Sequence, residues 1–194
     1  MSLLSFLLYV FVTTFTPGPN NIMAMLIANQ YGLKRTVKFC FGVGAGFFVI
    51  MILCSYFNLL LKSFIPKIEL IMTIIGSFYM LYLAYKIIKS KPNDKESNED
   101  KNTTFFAGMV LQFVNVKVIL YGITAISTFV IPFYTSNFSL IMISLFLAFA
   151  GFVSTVCWGG FGSIFQKFLS TYRSQFNVIM ALLLVYSAVT ILIK

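Results

Sequence analysis

The sequence predicts an all-α polytopic membrane protein, with six transmembrane helices forming two inverted three-helix repeats whose first helices are broken. Three observations predict it. The 194-residue chain is 59% hydrophobic and 10% charged, with mean hydropathy +0.93, whereas soluble domains run near ~45–50% apolar and ~25% charged. Its apolar residues fall into six segments, each near the roughly 20 residues that cross a bilayer and none alternating as a barrel strand would. Two polar interruptions lie inside such segments, at Gly18 and Asn115, 97 residues apart (115 − 18), which is half the chain. The composition excludes a soluble enzyme, a disordered chain, a disulfide-rich secreted domain and a large extramembrane domain.

The first segment, 3–31, has no basic leader and runs past Pro19 without a small-residue cleavage site, so it is expected to stay as a helix. Thr16-Pro17-Gly18-Pro19-Asn20-Asn21 interrupts it. Each proline deletes a backbone donor and clashes with the preceding turn, and Gly18 frees the dihedrals between them. The break lies about 14 residues from either end of the segment, hence near mid-membrane at ~1.5 Å per residue. Carbonyls released there need donors, because irregular backbone is tolerated in a bilayer only against protein or a water-filled cavity. The expected donors are Gln112, Asn115 and Lys117. A kink that only shapes packing is the plainer reading, but it needs neither Thr16 nor Asn20 and Asn21.

The second segment, 39–61, carries Gly42, Gly44 and Gly46, a small-residue face for close helix contact. The third, 68–88, places Tyr79, Tyr82 and Tyr85 at i, i+3, i+6 for packing and interfacial anchoring. Ser90–Thr104, SKPNDKESNEDKNTT, is too polar to order itself and reads as a mobile loop. The chain is thus one transmembrane domain, 1–194, with repeat one at 1–89, a cytoplasmic loop at 90–103 and repeat two at 104–194. The fourth segment, 104–131, holds the second interruption, Gln112-Phe113-Val114-Asn115-Val116-Lys117. The fifth, 138–161, leads from Trp158 into Gly159, Gly160 and Gly162, which permit a bend or a close approach, and 176–193 closes the fold.

Lys117 sits 13 residues after Thr104 and 14 before Ile131, so both membrane surfaces are about 20 Å away along the helix. A lysine stem of about 6 Å cannot snorkel that far. A central lysine costs about 2.5–3.5 kcal/mol on insertion scales and meets a cavity or a partner. Two readings stand: a lysine satisfied by carbonyls of the broken first helix, or one that meets a substrate anion or carries a proton.

Orientation follows from the remaining cations. Ten Lys and Arg lie on one side and three on the other, which makes the ten-residue side cytoplasmic and puts both termini outside. Three spans per repeat then make the second repeat enter from the opposite face. Scattered cations flanking apolar stretches give the +9 net charge without implying nucleic acid.

Catalytic and metal chemistry find little to use. There is no histidine, and Cys40, Cys54 and Cys157 show no ligand or disulfide spacing. Four of five acids fall in the polar loop. No metal, cofactor or enzymatic activity is expected. In the inverted arrangement the second halves of both broken helices start at mid-membrane. Their N-termini, partly positive, face one cavity beside an ammonium, which suits a small carboxylate. Thr16, Asn20, Asn21, Gln112 and Asn115 serve the rest of a zwitterion. A channel stays open as an alternative. A redox relay would need a cysteine in each broken helix, and neither TPGPNN nor QFVNVK has one.

With TPGPNN in the first helix, a glycine-rich second helix and Asn115-Val116-Lys117 in the fourth, the whole chain resembles the LysE/RhtB superfamily of amino-acid exporters. Gln112–Pro132, QFVNVKVILYGITAISTFVIP, and Ala181–Val189, ALLLVYSAV, are similar to its cysteine/O-acetylserine branch. Most of the superfamily has Asn-Pro-Lys where Val116 here agrees with that branch. The resemblance implies a secondary exporter in a bacterial inner membrane for cysteine, O-acetylserine or related small neutral amino acids. Homoserine, threonine or leucine is the alternative cargo. Phe47 stands where many members carry an acidic residue, leaving no carboxylate there for proton coupling. Coupling by another route and a homodimer stay open. The partners expected are an amino-acid substrate and lipid.

Overall fold

The computed structural model describes residues 3–89, 104–165 and 172–193, with backbone alone at 59–70, 72, 173 and 191. The described residues form helices α1 (Leu3–Phe15), α2 (Pro19–Tyr31), α3 (Leu33–Tyr56), α4 (Asn58–Lys89), α5 (Phe105–Val114), α6 (Val116–Thr124), α7 (Asn137–Ile164) and α8 (Arg173–Leu192). A π-helical turn, Ala125–Val130, extends α6. Among the described residues there is no strand. The loop expected at 90–103 lies outside them.

Both polar interruptions break helices. The first separates α1 from α2 at Thr16–Gly18, and Pro19 opens α2 at the position where a missing N–H costs nothing. The break is therefore shorter than the sequence implies, and Asn20 and Asn21 belong to the first turn of α2. The second falls at Asn115, where α5 and α6 meet at 66°. Thr104 caps α5 by accepting from the Ala107 amide, and Ser136 caps α7 by accepting from Ser139.

Two boundaries differ from the sequence reading. Residues 32–38 and 62–67 were expected as connections, yet α3 starts at Leu33 and α4 at Asn58. Gly32, at φ 80°, reverses the chain within one residue, and its amide closes α2 on the Ala28 carbonyl. Lys34, Arg35 and Lys38 then ride exposed on the first turns of α3. Hydropathy marks where a helix leaves an apolar medium, whereas hydrogen bonding decides where the helix ends.

Helices α3 and α7 run antiparallel, with Phe41 and Gly44 against Phe152, Phe47 against Gly151 and Ser55 hydrogen-bonded to Ser144. So do α4 and α8, where Ser77 donates to the Ala188 carbonyl and Asn177 to that of Ile87. In contrast α3 runs alongside α5 in the same sense, and α2 alongside α7. The α3–α5 seam is close enough for backbone contact. A Cβ on Gly42 would strike the Phe105 carbonyl, one on Gly108 the Phe39 carbonyl, and one on Gly46 would sit 2.6 Å from the Met109 oxygen. Gly44 lies on another side of α3, with a Cβ position 3.3 Å from the Phe152 side chain. The three glycines are therefore not one face, since two residues advance a helix by ~200°. Gly162 plays the matching part on α7, packing on the Met25 carbonyl of α2.

By length and composition α3 and α7 can each cross a membrane, and the bent α5–α6 pair adds a third span if taken as one.

Candidate functional site

Helix α1 ends because Pro17 and Pro19 cannot donate, which leaves the carbonyls of Thr14, Phe15 and Thr16 to find partners elsewhere. They find them on three other elements. Asn21 Nδ2, from the first turn of α2, donates to Thr14 at 2.9 Å and to Thr16 at 3.1 Å. From α7, Ser154 donates to Thr14 at 2.8 Å and Trp158 Nε1 to Phe15 at 3.2 Å. From α6, Lys117 Nζ reaches the Thr16 carbonyl at 2.8 Å and its hydroxyl at 2.9 Å.

Of the three donors expected from sequence, only Lys117 therefore serves the broken backbone. Gln112 and Asn115 turn to Asn20. Asn20 Nδ2 donates to Gln112 Oε1 at 2.7 Å, and Gln112 Nε2 returns a bond to Asn20 Oδ1 at 3.1 Å. Asn115 Nδ2 also donates to Asn20 Oδ1, at 3.1 Å. The remaining Gln112 proton goes to the Gly108 carbonyl at 2.7 Å, one turn earlier. All three amides are buried. They tie the start of α2 to the bend between α5 and α6, so the two breaks form one polar junction.

Beside this junction is a cleft. Its polar end is made by Gly18, Pro19, Asn20 and Asn21 from the start of α2, and by Asn115 and Lys117 from the bend. Gly18 packs closely there: a Cβ would lie 3.2 Å from both Cδ and Nζ of Lys117, so the lysine would have to shift by a few tenths of an ångström to admit it. The first turns of α2 and α6 both open on this end, so two partly positive helix termini and an ammonium face the same space. Its other end is walled by Phe47, Tyr121 and Val118, with Gly151 from α7, while the Thr155 hydroxyl, also from α7, donates to Asn21 Oδ1 at 3.5 Å. The volume open to the centres of water molecules is about 30 Å³, room for roughly two waters.

Six of the nine residues singled out from sequence thus line the cleft. Thr16 anchors Lys117 from the break, Pro17 stays half-buried within it, and Gln112 stands behind Asn20 as its partner. Sequence reasoning missed the contributions of α7 and the aromatic end. A signal was available: Ser154 and Thr155 are adjacent hydroxyls in an apolar helix, and Tyr121 sits one turn beyond Lys117.

A family model for the LysE type translocator matches residues 11–194. The chain belongs to that family. It is accordingly a membrane transporter. Among curated relatives, a cysteine/O-acetylserine efflux protein of Salmonella choleraesuis is 42% identical over 191 residues, 98% of this chain and 97% of the relative. One of Klebsiella pneumoniae is 40% identical over 190 residues, covering 98% and 96%. One of Escherichia coli O1:K1 is 39% identical over 187 residues, covering 96% and 95%. No solved structure matches the chain. As a translocator of this family, the protein carries its polar junction and cleft where its two broken helices meet.

Proposed function

We propose that this translocator is a secondary exporter of cysteine, O-acetylserine or related small neutral amino acids across the bacterial cytoplasmic membrane. The observation that carries the reading is the meeting of two half-helix N-termini and one lysine at a single cleft, in a chain whose near-full-length relatives are named for that efflux. The substrate carboxylate binds between Lys117 and the first turns of α2 and α6, where Gly18 leaves room for the ammonium. Asn20, Asn21 and Asn115 serve the remaining polar groups, and Thr16, Pro17, Pro19 and Gln112 hold the shape of the site.

Six spans in two inverted repeats are the topology we infer, with α1–α2 corresponding to α5–α6, α3 to α7 and α4 to α8, and both termini outside. The pairing of helices supports it. A two-fold axis in the membrane plane reverses corresponding helices, as α3 against α7 and α4 against α8 are reversed. The same axis exchanges the contact of α3 with the broken α5–α6 helix for that of α7 with the broken α1–α2 helix, and both contacts are present.

Transport in this reading turns on Lys117. A carboxylate is a stronger partner for an ammonium than a carbonyl and a hydroxyl, so an arriving substrate takes Lys117 from Thr16. That loosens α1 from α6 at the break. The cleft is too narrow to load a substrate without the surrounding helices parting, which is what alternating access requires.

Purified protein in reduced proteoliposomes tests the reading. Labelled cysteine or O-acetylserine should exchange against an unlabelled internal pool, and lysine should not. Exchange of homoserine, threonine or leucine in preference would change the cargo. Ionic or solute conductance without counterflow would make the protein a channel and overturn the proposal.

A further inference from the structure

The polar end of the cleft accounts for the part all amino acids share, and leaves the aromatic end without an assigned role. Tyr121 is 2% exposed, lines the cleft, and its hydroxyl is buried with no hydrogen-bond partner. Buried hydroxyls are normally paired, and one that is not commonly marks a place for a water or a ligand. The ring is held on two sides: it stacks on Tyr9 at 5.7 Å and 8°, and meets the Phe47 ring edge-on at 5.7 Å. The hydroxyl is thus fixed in position, not free to search for a partner.

Tyr121 follows Lys117 by four residues on α6, which puts both on one face, about 6 Å apart along the axis. A carboxylate held at Lys117 directs a short side chain towards Tyr121. Across the cleft, Phe47 fills the space that the missing Gly151 side chain leaves, and a Cβ there would lie 2.8 Å from the ring. Gly151 therefore sets how far the Phe47 ring withdraws from the cleft.

We propose that Tyr121, Phe47 and Gly151 form the side-chain subsite of the exporter. The Tyr121 hydroxyl donates to a polar atom two to four bonds beyond Cα, and the Phe47 ring over Gly151 limits side-chain length. The inference rests on the export reading above. It assigns the substrate class by chemistry: a short, uncharged side chain carrying one hydrogen-bond acceptor, such as an ester carbonyl or a thiol sulfur. Cations are disfavoured because the residues lining the cleft include no acid and Lys117 already supplies a positive charge.

Tyr121→Phe removes an oxygen that has no partner within the protein, so folding loses nothing by it. The decisive pair of probes is O-acetylserine and O-ethylserine, which differ only in the carbonyl oxygen. Wild-type protein in proteoliposomes should prefer O-acetylserine in counterflow, and Tyr121→Phe should cut that preference about ten-fold, the scale of one lost hydrogen bond. An unchanged preference overturns the role of Tyr121. Gly151→Ala pushes the Phe47 ring and should lower the ratio of O-acetylserine to cysteine exchange; an unchanged ratio overturns the length limit. Ligand-induced shifts in melting temperature of the detergent-solubilised protein read the same preferences without transport. A wild type that binds O-acetylserine yet does not exchange it overturns the export reading alone. One that neither binds nor exchanges it overturns both.

Discussion

Lys117 Nζ donates to Thr16 twice, to its carbonyl at 2.8 Å and its hydroxyl at 2.9 Å, across 101 residues of chain. The contact joins the break in one helix to the bend in another, so the costliest residue in the apolar sequence is spent on the costliest defect in its backbone. Both acceptors are neutral, which leaves the ammonium able to gain from an anion.

Lys117→Met separates structure from function. The Thr16 carbonyl keeps its bond from Asn21, so the protein should fold, with a melting temperature within a few degrees of wild type. Counterflow should fall at least ten-fold, because hydrogen bonds to charged groups contribute about 1.5–3 kcal/mol. Lys117→Arg should fail as well, since Gly18 packs against a slim stem that a planar guanidinium does not match. Loss of gradient-driven export with counterflow preserved would make Lys117 the proton carrier instead. Wild-type rates in Lys117→Met would leave it a purely structural lysine.

The Asn20–Gln112 amide pair should show strong coupling. Either residue changed to Leu leaves its partner buried and short of a bond, at about 1–3 kcal/mol. Changing both removes the stranded groups together, although Asn115 still loses its acceptor. A double-mutant cycle on unfolding in detergent should therefore give a double variant less destabilised than the two singles added. Strict additivity would show that the junction is not a unit.

Gly42→Ala and Gly108→Ala should each be among the most damaging small substitutions in the protein. Their new methyl groups would meet backbone carbonyls on the facing helix, which cannot rotate away, and such overpacking costs about 1–3 kcal/mol. Gly160→Ala is the control, since nothing lies within 4 Å of its Cβ position. Equal melting temperatures for Gly42→Ala and Gly160→Ala would contradict the close α3–α5 seam.

What could be read from sequence follows from what hydrocarbon forbids. Proline at 17 and 19, and Asn115 beside Lys117, are conspicuous because each leaves polar backbone or charge that must be answered inside the protein, and both mark real breaks. The donors were harder to foresee. Ser154 and Trp158 answer Thr14 and Phe15 through a tertiary contact between α1–α2 and α7 that no local pattern encodes. In sequence Tyr121 is one more aromatic in an apolar run, and its hydroxyl matters only once Phe47 and Tyr9 pack against its ring. The start of α3 was missed for a different reason: Gly32 turns the chain in one residue, and the charges that follow conceal a helix that has already begun.

Trp158 offers a direct view of the break. It is the sole tryptophan of the chain, and its indole N–H holds the Phe15 carbonyl at the last residue of α1. If substrate draws Lys117 from Thr16 and loosens this end of α1, the indole hydrogen bond and its surroundings change with it. Adding cysteine or O-acetylserine to purified protein should then shift or quench the intrinsic emission with saturation, and Lys117→Met should abolish the response while leaving the unliganded spectrum in place. Trp158→Phe removes the reporter and one carbonyl partner, so it should lower stability by about 0.5–1.5 kcal/mol while counterflow remains measurable. An emission that never responds to a substrate shown to exchange would detach the α1 break from the transport cycle, and with it the exchange of partners at Lys117.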